Sequence, residues 1–123
     1  MLIRSTDAVE YTTHGAQFRS YLQRGRGSAN GLRAWELRLP PHQVGVSHRP
    51  SHEESMFIVA GHLKVTIDGV AYDAAAGDVV HVSAGAQLRV DTQEDAARAF
   101  VTTMSGLEAL MPDGTSFAPP WAE

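Results

Sequence analysis

Hydrophobic and polar positions alternate with a period of two along much of the chain, and nowhere do they hold a helical period for three turns. In LRAWELRLP (residues 32–40), Trp35, Leu37 and Leu39 share one face and Ala34, Glu36 and Arg38 the other, and Pro40-Pro41 ends the run. A further strand is expected over residues 44–48. After a turn around Arg49 and Ser51, SMFIVA is apolar on both faces, the pattern of a strand covered from two sides, and Gly61 is expected to break it. LKVTIDG then sets Leu63, Val65 and Ile67 against Lys64 and Thr66, and Asp68-Gly69 is a strong hairpin signal into VAYDA. GDVVHVSAGAQLRVD reads as two strands bent around Ser83, Ala84 and Gly85, and ARAFVTTM as one more after the acidic turn ending at Asp95. About seven or eight short strands in ~100 residues predict an all-β jelly roll or small barrel, whose closure removes exposed sheet edges.

The expected organisation is an N-terminal portion of strands and loop (1–31), a barrel (32–104) and a tail (105–123). Residues 11–30 are a candidate for exchange with a partner subunit, although GRGSANG gives them a flexible centre. The tail is rich in turn formers yet carries Leu107, Leu110, Met111, Phe117 and Trp121, so it is expected to lie against the barrel or a neighbouring subunit. One domain is expected from 123 residues with 43% hydrophobic and 20% charged. A formal charge of −4 gives no electrostatic reason for binding nucleic acid or an anionic membrane. The cluster of Arg19, Arg24 and Arg26 reads as a solvated loop. The absence of cysteine excludes disulfides, thiolate catalysis and thiolate metal sites. The start MLIRSTDAVE lacks the basic and apolar regions of a secretion signal, and no apolar run approaches the ~18 residues that cross a bilayer, so a cytoplasmic protein is expected.

The candidate chemistry concentrates in PHQVGVSHRPSHEESMFIVAG (41–61), where His42, His48, His52, Glu53 and Glu54 precede an apolar run. Here the chain resembles the cupins, in particular the small single-domain kind. Their first motif, P-G-x5-H-x-H-x3-E-x6-G, is matched by Pro41, His48, Glu54 and Gly61. Their second, G-D-x4-P-x-G-x2-H, is matched by Gly77, Asp78 and Gly85. The resemblance covers residues 32 to about 104, most of the chain, and implies a double-stranded β-helical barrel. It departs from the pattern at four places: Pro50 replaces the second histidine, Leu88 the last one, His42 the first glycine and Ser83 the proline.

Only His48 and Glu54 therefore stand where the resemblance implies metal ligands, whereas a tightly held divalent ion usually takes three or more protein ligands. Leu88 puts an apolar wall where an imidazole would close the site. What remains is a His48 and Glu54 pair pointing into a barrel lined, if strand alternation holds, by Met56, Ile58, Leu88, Val90 and Met104. The leading expectation is a cupin that binds a small, largely apolar organic ligand and performs acid/base isomerisation, cyclisation or lyase chemistry, with His48 and Glu54 exchanging the proton. One alternative is a metal-dependent oxygenase in which His48, His52 and Glu54 hold iron, manganese, nickel or zinc. Another is a non-catalytic ligand-binding or sensor module. The plain alternative for the pair is a buried hydrogen-bonded or ionic contact with no task. His14, His42, His62 and His81 read as structural or solvent-facing. Burial raises the pKa of Glu54 and lowers that of His48, while pairing of their charged forms does the reverse, so the sequence leaves the sign open. The resemblance implies a homodimer, since cupins commonly pair through sheet faces or exchanged N-terminal strands, and the two-sided apolar character of SMFIVA and VVHV fits a second layer from a partner.

Overall fold

A computed structural model describes all residues, 1–123. Eleven strands and two short 3-10 turns follow one another. In chain order the strands are β1 (Val9–Thr13), β2 (Ala16–Leu22), β3 (Leu32–Leu39), β4 (Arg49–Pro50), β5 (Glu54–Ile67), β6 (Val70–Ala75), β7 (Val79–Val82), β8 (Leu88–Asp91), β9 (Ala97–Met104), β10 (Ala109–Leu110) and β11 (Ser116–Phe117). Eight of them form one curled antiparallel sheet in the order β1-β2-β3-β9-β5-β6, with β7 and β8 also paired to β5. The remaining β4, β10 and β11 make a small three-stranded sheet. This is the all-β architecture that the alternating pattern predicts, in the half-barrel form that the family resemblance implies.

β5 joins the two sides of the barrel. Its first half pairs with β7 and β9, and its second half, from His62, pairs with β6 and β8. The expectation that Gly61 ends this strand is corrected: the chain runs on through it. The register with β9 shifts between Ile58 and Ala60, and Gly61 takes φ +76°, which lets the strand bend into the second side. A Cβ at Gly61 would lie 1.9 Å from the Ala96 carbonyl oxygen, so the bend is also a close backbone approach. Asp68-Gly69 forms the expected hairpin turn, with φ of +48° and +82°.

The strand expected over residues 44–48 does not form. Side chains take the N–H groups that a ladder would use: the Gly45 N–H donates to Asp91 Oδ1 at 2.8 Å and the Gln43 N–H to Thr92 Oγ1 at 2.9 Å. Only His48 keeps ladder contact, through an isolated antiparallel bridge to Leu88.

The core lies inside the curl. The inward positions of β3, β9 and β5 line up across the sheet, as in the row Trp35, Val101, Met56, each of them almost fully buried. The tail folds against β1 and β2 of its own chain. The Trp121 ring stacks on Phe18 with centroids 3.7 Å apart and planes 13° from parallel, and the buried Ser20 hydroxyl donates to the Trp121 carbonyl at 2.7 Å. No helix is long and apolar enough to cross a membrane.

Candidate functional site

A cavity of about 560 Å³ opens inside the barrel. Trp35 and Leu37 from β3, Met56 and Val101 from β5 and β9, and Leu88 and Val90 from β8 supply its apolar walls. Residues 43–46, His48 and the tail add to its lining. None of its lining residues is lysine or arginine, and the ionisable ones are His14, His48, Glu54 and Glu108.

Glu54 reaches this cavity because it is the first residue of β5 and shares the inward parity of Met56. It is 4% exposed, and burial pushes its carboxyl from the ordinary 4.5 up to about 7, with no hydrogen bond or countercharge opposing that shift. No side-chain oxygen or nitrogen in the molecule is both sealed off and unbonded, so the Glu54 oxygens, which have no protein partner, touch the open space of the cavity.

His48 also lines the cavity. Its backbone exchanges hydrogen bonds with Leu88 at 3.0 and 2.7 Å, so the two side chains project to the same side. Its ring Nδ1 lies 2.8 Å from the Val46 carbonyl oxygen. A carbonyl only accepts, so Nδ1 carries the hydrogen and Nε2 is the basic nitrogen of the neutral ring. The arrangement is an apolar chamber with one desolvated carboxyl and one oriented imidazole on its wall, a set able to accept and return a proton.

The other expected positions divide. Met56, Leu88 and Val90 line the cavity. Ile58 is fully buried in the core without facing it. Met104 turns outward and is 43% exposed, because the buried positions of β9 are Ala97, Ala99, Val101 and Thr103; Val101 faces the cavity instead. His52 stays outside the cavity, its Nδ1 2.8 Å from the Ser51 hydroxyl. His81 pairs with Glu53 at 2.6 Å and His62 with Asp95 at 3.0 Å, both at the surface.

The family resemblance implies a divalent metal, and the donors present do not fit one. No three His, Cys, Asp or Glu side chains gather to hold an ion, although His14, His48, Glu54 and Glu108 all line the cavity, and the buried Leu88 stands beside His48.

The cavity also has walls that strand reasoning over 32–104 does not supply. Phe18 and His14 come from the N-terminal hairpin, and Leu107, Phe117 and Trp121 from the tail. The available signal was large apolar residues persisting among turn formers.

Residues 35–104 match a family model described as a cupin domain. No curated protein sequence matches the chain. Among solved structures, an RmlC-like cupin from Shewanella frigidimarina superposes with a TM-score of 0.71 at 18% identity, over 82% of this chain and 86% of that one. The polyketide cyclase RemF from Streptomyces resistomycificus gives 0.75 at 13% identity, over 85% and 78%. Streptomyces PAC13, solved with uridine, gives 0.68 at 13% identity, over 84% and 80%. At such identities the likeness is one of fold.

Proposed function

The chain belongs to the cupin family, and from that premise we propose that it binds a small, largely apolar organic molecule in the barrel and moves a proton on it, with His48 and Glu54 as the acid/base pair. The observation that carries this reading is the carboxyl of Glu54, 4% exposed, without a protein partner, and facing an apolar cavity of about 560 Å³. Cavities of roughly 300–1,000 Å³ suit organic ligands. A carboxyl that titrates near 7 is present in both forms at neutral pH, which suits general acid/base catalysis.

In the proposed step, one of the two groups takes a proton from a carbon next to a carbonyl, and the other delivers a proton elsewhere on the same molecule, in an elimination to the leaving hydroxyl, which departs as water. Isomerisation, ring closure and elimination all share this step, and the apolar walls keep water from competing. That one structural neighbour is a polyketide cyclase and another was solved with uridine supports a small-molecule role without naming the substrate.

The test is a ligand screen by thermal shift, followed by binding and turnover measurements on His48→Ala and Glu54→Ala. Loss of turnover by about a hundredfold or more in each variant is expected, the range for one general acid or base. Unchanged affinity and turnover in His48→Ala would overturn the proposal. The metal alternative is checked by elemental analysis of tag-free protein supplied with iron, manganese, nickel and zinc. The expected result is metal well below one ion per chain and indifferent to a His48→Ala, Glu54→Ala double variant; stoichiometric metal lost in that variant would restore the metal-dependent reading.

A further inference from the structure

We infer that the cavity takes an uncharged, ring-containing molecule that meets Glu54 through a neutral hydroxyl or amine, and that it rejects organic anions, with Glu54 setting this preference. The inference rests on the small-molecule reading above and adds the chemical class of the occupant.

Charge comes first. No lysine or arginine side chain lines the cavity. Several arginines of the barrel are committed elsewhere: Arg19, Arg38 and Arg98 surround Glu36 from the outer face of the sheet, and the buried Arg33 donates to the carbonyls of Ser28, Ala29 and Glu123. A carboxylate or phosphate entering this space would leave water with no lysine or arginine to meet it, and where the imidazoles of His14 and His48 are neutral, desolvating such an unpaired ion costs several kcal/mol. Ionised Glu54 would add repulsion at short range in a medium that screens poorly.

The polar demand of the site points the same way. Glu54 is desolvated and no protein group satisfies it. A ligand O–H or N–H would give the ionised carboxyl a charge-assisted hydrogen bond, and the protonated carboxyl would donate to a ligand oxygen. In neither state is the complementary group an anion, and an organic cation would have to give up its hydration in the same apolar space. The walls decide the remainder: Trp35, Phe18, Phe117 and Trp121 all line the cavity, Phe18 and Trp121 with one face already stacked on each other, and this aromatic surface favours a ring over a flexible chain.

The test uses three probes of one shape on the full-length chain at pH ~8, where imidazole in water is neutral: naphthol, its methyl ether and naphthoate, each titrated by calorimetry. The wild type should bind naphthol at least about tenfold more tightly than naphthoate, with the ether, which lacks the donor, in between. Glu54→Gln, which keeps the shape and removes the charge, should bring naphthol and naphthoate to within about threefold of each other. Naphthoate binding to the wild type as tightly as naphthol overturns the inference and leaves the cavity reading standing. A tenfold preference that survives in Glu54→Gln overturns the role of Glu54. Binding of none of the three removes the small-molecule reading and the inference together. The wild-type comparison needs no variant, so a Glu54→Gln chain that fails to fold does not rescue the inference.

Discussion

Glu54 links the chemistry of the cavity to the stability of the molecule. Below its ordinary value of 4.5 the side chain is neutral in both the folded and unfolded chain. As pH rises, the unfolded chain ionises freely while burial keeps the folded one protonated until about 7. The stabilisation is thus fully present below 4.5 and is lost as pH climbs through about 7, and a shift of this size corresponds to about 3 kcal/mol. Urea denaturation at pH values on either side of that window should show the wild type losing stability toward alkaline pH and Glu54→Gln losing much less; equal slopes in the two proteins would contradict it. At this scale the sequence was informative about type and poor on direction. His48 and Glu54 stood out by motif, and both line the cavity. Met104 was misjudged, because a strand alternates strictly and an error of one residue at its end exchanges inside for outside.

At the scale of elements, β5 and the tail decide the shape of the chamber. Gly61→Ala is expected to cost about 3 kcal/mol or more, or to abolish folding, since it combines a left-handed φ with a Cβ 1.9 Å from a backbone oxygen; a melting temperature within a degree or so of wild type would refute the account. The sequence showed a glycine at a bend. Whether the strand stopped or turned depended on the partner it met, here Ala97 of β9. Trp121→Ala should cost about 3–5 kcal/mol, as usual for a buried tryptophan, because it unstacks Phe18 and frees the tail. It should also weaken ligand binding, as Trp121 is part of the cavity wall. Chemical denaturation and a ligand titration of the same variant check both effects. Residues 44–48 show the opposite limit: a sequence with strand character was left irregular where the Asp91 side chain takes the Gly45 amide, just after Thr92 takes that of Gln43.

For the whole molecule, the outer face of the curled sheet carries a prediction of assembly. Phe57 and Val79 are cross-strand partners, and with Val59 they remain 46%, 63% and 38% exposed beside Phe100. Flanking apolar side chains on an uncovered sheet face are the part of this surface that a second copy would bury. A homodimeric mass by light scattering at micromolar concentration is the expected outcome, with Phe57→Glu shifting it toward the monomer; a monomeric wild type would defeat the expectation.

By itself the sequence determined the all-β class, the hairpin at Asp68-Gly69 and the family of the fold, and it pointed to His48 and Glu54, two of several polar residues that line the cavity. These are local facts, written in alternation, turn chemistry and motif spacing. Only the tertiary structure decided that β5 runs through Gly61, that His52 stays away from His48 and Glu54, and that the N-terminal hairpin and the tail complete the chamber. Those outcomes depend on which distant segments meet, and they follow from competition between backbone and side-chain partners and from the burial of apolar residues. No local pattern encodes either.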